Sequence, residues 1–157
     1  METTIKYLIT APARILNALR WDLFLVLMRF YVGYQFWKAG MLKLNSWDST
    51  LFLFEHEYRV PLLSPYLAAL LGTVGELLFP LMLFVGLAGR LGALGLSVVN
   101  VVAVISYAHV IFSAGFENTV NDHWLWGLML LAVMVFGPGK LSLDYLINRY
   151  RGASEPY

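Results

Sequence analysis

Arg29 and Glu76 are opposite charges set within two long apolar segments. An ion in hydrocarbon is costly, so intramembrane charges face the protein interior, pair, and mark ligand or proton pathways. At ~1.5 Å rise per residue, Arg29 lies about 9 Å and Glu76 about 14 Å from the same end of their segments, a gap an arginine side chain covers. The two are therefore expected to meet across neighbouring antiparallel helices. Pro80 adds a reason for polarity, because it lacks the N–H that would bond the carbonyl of Glu76. Gly72, Glu76 and Pro80 share a helical face, and small residues there allow close approach. Such a pair is either a structural ion pair that fixes helix register or the base of a polar intramembrane pocket. Asn100, midway along a third apolar segment, is read first as an interhelical hydrogen bond and second as part of that pocket.

The three histidines form a second constellation. His56, His109 and His123 all fall on one side of the apolar segments, with Glu55, Glu57, Glu117 and Asp122 as sequence neighbours. Imidazoles with carboxylates could hold zinc or copper, or relay protons. No HxxxH or HxH spacing supports the metal, and histidine is ordinary at a wet interface. With no cysteine in 157 residues, disulfides, thiolate metal sites and thiol redox chemistry carried by the chain itself are excluded.

The elements that position these groups follow from composition. Hydrophobic residues make up 59% of the chain and charged residues 13%, against about 25% charged in soluble domains. The basic residues are few and scattered, which excludes a nucleic-acid partner and leaves the lipid bilayer. The expected fold is all-α and integral to the membrane: one domain over residues 1–157, with spans near 23–42, 66–85, 91–110 and 123–138. About 20 apolar residues cross the hydrocarbon layer. The first apolar run contains Arg29 and is followed by no small-residue cleavage site, so it reads as a span rather than a signal peptide.

Orientation follows from Lys and Arg. If both ends share a side, that side holds Lys6, Arg14, Arg20, Arg90, Lys140, Arg149 and Arg151, against Lys43 and Arg59 opposite. The bias predicts both termini in the cytoplasm of a bacterial inner membrane. Between the first two spans, Ser46 can cap a short helix whose Trp47, Leu51, Phe54 and Tyr58 share a face. It lies on the bundle or lids an outward-opening pocket. Thr10 and Pro12 predict the start of an interfacial helix with Ile15, Leu16 and Leu19 on one face. After Gly137-Pro-Gly139, Ser142 can cap a last one, with Asp144 in its first turn and Arg149 and Arg151 near its end.

Several stretches together resemble the DoxX family. These are Arg29-Phe-Tyr-Val-Gly33 with Phe36-Trp-Lys-Ala-Gly40-Met-Leu-Lys43, Val60-Pro61, Gly75-Glu76, Gly86-Leu-Ala-Gly-Arg90-Leu-Gly-Ala93, and Gly137-Pro-Gly-Lys-Leu-Ser-Leu-Asp144. Residues Asn45 to Glu55 resemble a subgroup encoded in copper-stress clusters, beside enzymes like the iron-dependent peptide-modifying partner of methanobactin synthesis. The resemblance implies a four-helix inner-membrane protein. Some relatives are named as the quinone-reducing membrane subunit of a thiosulfate oxidation system, and others are placed with oxidative-stress complexes. Lys43 and Arg90 match the family's charged positions, as do Arg29 and Glu76, and no catalytic motif transfers.

Three functions remain open on these residues. One is a membrane redox accessory, a quinone-linked oxidoreductase subunit that binds a quinone at the Arg29–Glu76 pocket. It would need a membrane or periplasmic partner, since the chain has no covalently bound cofactor and no haem or flavin motif. Another is a transporter or exporter component for a small solute, metal or peptide, helped by homo-oligomer formation. The third is a scaffold whose charges are purely structural.

Overall fold

A computed structural model describes residues 2–152, with side chains from residue 21 onward. Regular structure among them is helical throughout: α1 (Glu2–Asn45), α2 (Trp47–His56), α3 (Pro65–Val85), α4 (Gly89–Ser106), α5 (Ala108–Ile111), α6 (Glu117–Phe136) and α7 (Leu143–Tyr150). Three of them, α3, α4 and α6, are long and apolar enough to cross a membrane. Their outward faces are hydrocarbon: Leu78, Leu81, Val98, Leu128 and Val135 are all exposed. Such a surface suits lipid and not water.

Helix α1 packs most extensively on α3, α4 lies between α3 and α6, and α6 returns to α1, closing a four-helix bundle. Val32, Phe36, Leu83, Ala93, Leu96, Leu130 and Val133 form its core. The glycines set how closely the helices approach. A methyl group on Gly40 would meet Glu76 Cβ at 2.9 Å, and one on Gly33 would meet the Phe84 ring at 2.7 Å. Gly75 lies as tightly against Val99, and Gly92 and Gly95 pack against Met82 and Phe79. Gly89 packs against Pro138, so Gly89, Gly92 and Gly95, at threefold spacing, all lie in close contacts.

Helix ends depart from the apolar windows in instructive ways. Helix α3 matches its expected span: Ser64 accepts from Leu67 N at 3.4 Å, Pro65 opens the first turn, and Gly86 (φ 66) ends it. The third helix stops at Ser106, the chain turns at Tyr107 (φ −115), and α5 is a separate short helix. The fourth starts at Glu117, well before His123, and ends at Phe136. Hydropathy marks where a helix is greasy, whereas polar turns extend it further. Helix α1 runs unbroken from Glu2, so no helix begins at Thr10 and Pro12; the helix absorbs one lost backbone bond at the proline. The face proposed for Ile15, Leu16 and Leu19 lies outside the described side chains.

The two short helices form where expected. In α2, Phe54 with Trp47 and Leu51 packs on Ala68 and Ala69 of α3; Tyr58, expected on the same helical face, lies just beyond the end of α2 at His56 and joins that cluster from there. Ser46 makes no side-chain cap; instead the Thr50 hydroxyl lies 3.1 Å from both the Lys43 and the Ser46 carbonyls, tying α2 to the end of α1. Ser142 does cap α7, accepting from Tyr145 N at 3.2 Å.

Candidate functional site

Four helices turn one face each toward a cavity of about 730 Å³. Helix α1 contributes Gln35, Ala39 and Lys43, spaced at i, i+4, i+8, and α3 contributes Ala68, Gly72, Glu76 and Phe79. Helix α4 adds Gly95, Val99, Ala103 and Ser106, and α6 adds Thr119, His123 and Trp126. Phe54 and Tyr58 close it from α2 and the residues after it. The volume suits a small organic ligand, and walls mainly apolar with a few convergent polar groups are the usual form of such a site.

The strongest polar feature is an ion pair. Lys43 Nζ donates to both oxygens of Glu76, at 2.8 and 2.7 Å. Glu76 is 7% exposed, so its charge depends on that partner. An ammonium has three N–H groups, which leaves Lys43 one more to give. Trp126 also lines the cavity, and its Nε1, buried behind that wall, has no hydrogen-bond partner. Its indole packs edge-on to Phe36, centroids 5.4 Å apart, and to His123 at 4.9 Å. His123 is fixed by Asn100: Asn100 Nδ2 donates to the His123 carbonyl at 3.0 Å. Asn100 Oδ1 therefore accepts from His123 Nδ1–H at 2.7 Å. The neutral ring is left with Nε2 as its acceptor. At the cavity rim, Tyr107 Oη donates to Glu57 Oε1 at 2.7 Å. The Glu57 carboxylate holding that proton pushes the Tyr107 phenol up to about 12.

Arg29 is not part of this site, which corrects the expected Arg29–Glu76 pair. In the α1–α3 register Gly40 faces Glu76 and Gly33 faces Phe84, so Arg29 lies level with the turn after α3. Eleven residues separate Arg29 from the level of Glu76, about 16 Å along a helix. Their distances from the span ends suggest a gap that an arginine side chain can cover, but α1 continues beyond its apolar window and shifts the register. Arg29, 1% exposed, donates through Nη2 to the Leu141 carbonyl at 2.8 Å, while its Nε and Nη1 have no partner.

That bond belongs to a clamp on the segment before α7. Lys140 N donates to Asp22 at 2.7 Å, and Asp144 accepts from Ala88 N and Gly89 N at 2.7 and 2.8 Å. Asp144 thereby caps the start of α4 from a distance, a favourable place for a carboxylate. Arg90 reaches the Val135 carbonyl at 3.4 Å. Of the other residues assigned to the pocket, Gly72 lines the cavity. Pro80 is fully buried in the core, and Asn100 acts through His123.

The histidines do not converge. His56 Nδ1 lies 2.9 Å from the Phe52 carbonyl and its ring stacks on Phe52. His109 packs edge-on to Tyr107, and His123 is held by Asn100. Among the described residues no group of three His, Cys, Asp or Glu side chains could hold a metal ion, so the metal reading of His56, His109 and His123 is not carried further. Sequence reasoning missed Lys43 as the partner of Glu76 and gave Trp126 no part in the site. The signals were the Gln35–Ala39–Lys43 spacing, and Trp126 three residues after His123.

The family model for DoxX matches residues 24–110. The chain belongs to the DoxX family. The matched stretch holds Lys43, Glu76 and the lining of α1 to α4, while His123 and Trp126 lie beyond it. A relative from Haemophilus influenzae, described as an uncharacterized protein, is 29% identical over 132 residues, covering 80% of this chain and 83% of its own. No solved structure matches the chain. Family and apolar helices together make this DoxX protein a membrane protein.

Proposed function

We propose that this DoxX protein is an inner-membrane redox accessory whose cavity receives the ring of a quinone. In this reading α1 is a fourth span over residues 23–42, α2 and α7 lie at the membrane surfaces, and both termini are cytoplasmic. The observation that carries it is an apolar-walled cavity with the spare N–H of Lys43 on its wall and, among its lining residues, Trp126, whose buried N–H has no partner. Two such donors fit an uncharged ring with carbonyl acceptors, because a buried N–H without a partner costs about 1–3 kcal/mol that a ligand carbonyl would recover. A bound quinone would supply electron and proton carriage. Lys43 and Trp126 would orient the ring, Glu76 would hold a proton beside it, and Phe36, Phe79 and Val99 would exclude water. With no cysteine in the chain, electrons would come from a membrane or periplasmic partner. A metal-stress setting is supported by the resemblance over Asn45 to Glu55.

A transporter would need a passage through the bundle. Beyond the cavity, Val32, Leu83, Ala93, Leu96, Leu130 and Val133 are fully buried against one another, which favours a binding site over a pore.

The test is binding of a tailless benzoquinone to the full chain in lipid vesicles, followed by tryptophan fluorescence. Saturable quenching is expected, weakened about tenfold, or about 1.4 kcal/mol, by Trp126→Phe or Lys43→Met. Quenching that is unsaturable, or unchanged in both variants, would refute the reading.

A further inference from the structure

The cavity has a side window. Among the described residues, three of those lining it are themselves exposed: Leu63 (38%), Leu71 (51%) and Val98 (57%). Leu71 lies on α3, Val98 on α4, and Leu63 in the turn that leads into α3. The opening is therefore between α3 and α4, on the apolar flank of two helices long enough to cross a membrane. These helices are joined at the far end by the tight turn around Gly86, and they touch where Gly75 meets Val99 and Gly95 meets Phe79. Those contacts form the lower lip. The upper lip is the segment from Arg59 to Leu63, fastened to α4 by Arg59 N donating to the Ser106 carbonyl at 2.9 Å. Its turn holds Leu62 at φ 67, a left-handed geometry that costs a leucine about 1–2 kcal/mol and brings Leu63 to the cavity wall.

The mouth beneath α2 is crossed by the Tyr107–Glu57 bond and filled by Phe54 and Tyr58, whose rings pack edge-on. The polar donors sit deep and the apolar, exposed residues sit at the window. A water-borne solute would meet the opposite order.

We propose that the cavity is loaded from the bilayer through this window, and that its ligand is a membrane-dissolved amphiphile: a hydrogen-bond-accepting head reaches Lys43 and Trp126 while its hydrocarbon tail lies between Leu71 and Val98. The proposal rests on the ligand-binding reading above and deepens it, since it adds a tail to the ligand and a route for its entry. The Gly72 position keeps that route wide, because a methyl group there would meet only Phe54 Cζ, at 3.8 Å.

The experiment compares two probes, a tailless benzoquinone and the same ring bearing a decyl chain, on the full chain in vesicles. Val98→Trp should narrow the window and weaken the decyl probe about tenfold while leaving the tailless one within about twofold. Leu71→Trp, from the opposite side, should do the same. Leu128→Trp, on the lipid face of α6 away from the cavity, should change neither. Because Val98 and Leu71 already face outward, both variants are expected to keep the wild-type melting temperature. The tail-selective loss in either folded variant supports the window. Binding of both probes to the wild type, with Val98→Trp and Leu71→Trp indifferent or weakening both probes alike, overturns the window alone. If neither probe binds the wild type, both the window and the quinone reading fall.

Discussion

Lys43 holds Glu76 through both carboxylate oxygens, and that contact decides what these two charges can do. Removing Lys43 strands a carboxylate that is almost wholly buried, a loss typically worth about 3–5 kcal/mol, whereas removing both partners in favour of apolar side chains is far milder. Lys43→Met should therefore lower stability sharply, and adding Glu76→Leu should restore most of it. Arg29 works elsewhere, gripping the Leu141 carbonyl. Arg29→Met and Glu76→Leu should accordingly be additive to within about 0.5 kcal/mol, as separated sites are. Unfolding in detergent measures both cycles; coupling above about 1 kcal/mol between residues 29 and 76 would reinstate the direct pair. At this scale the sequence placed Gly72 and Glu76 on one helical face, and both line the cavity; it also read Asn100 as a bond between helices, which it makes to His123. It could not reveal the partner of Glu76, because register depends on where helices truly end, and Arg29 and Lys43 lie on nearly the same side of α1.

The elements around the cavity divide into fixed and latched parts. Helices α1, α3 and α4 are fixed by glycine contacts at Gly40, Gly75 and Gly92. Helix α2 and the residues that follow are held more lightly, by Phe54 on Ala68 and Ala69 and by Tyr107 donating to Glu57. That latch has a pH signature. Because the folded phenol is raised to about 12, its contribution is complete below the ordinary tyrosine range near ~10 and is lost as pH rises through the folded value. In Glu57→Gln, Tyr107 should titrate nearer the ordinary value, read as the ultraviolet phenolate difference from a matching Tyr107→Phe background. The latch should also be worth about 1 kcal/mol of thermal stability. An unchanged titration would mean that Glu57 does not hold the phenol. Helix α2 was readable from its apolar repeat and α7 from Ser142. The early start of α6 was not, since Glu117 to Asp122 carry no apolar period. Nor was the cap that Asp144 places on α4, which joins residues far apart in the chain.

For the whole molecule, composition and apolar runs were enough to give an all-helical membrane bundle, because hydrocarbon permits few other solutions. They could not give the cavity, whose lining comes from α1, α3, α4 and α6 together and depends on how those helices pack. The functional account rests on that void being a ligand site rather than a packing defect. A structure determined from lipid nanodiscs tests this most directly. The account predicts density for a ring-sized head within hydrogen-bond distance of Trp126 Nε1 and Lys43 Nζ, with a tail leaving between Leu71 and Val98. A collapsed cavity with the Trp126 indole bonded to another protein group, or Lys43 swung away from Glu76 into solvent, would contradict it.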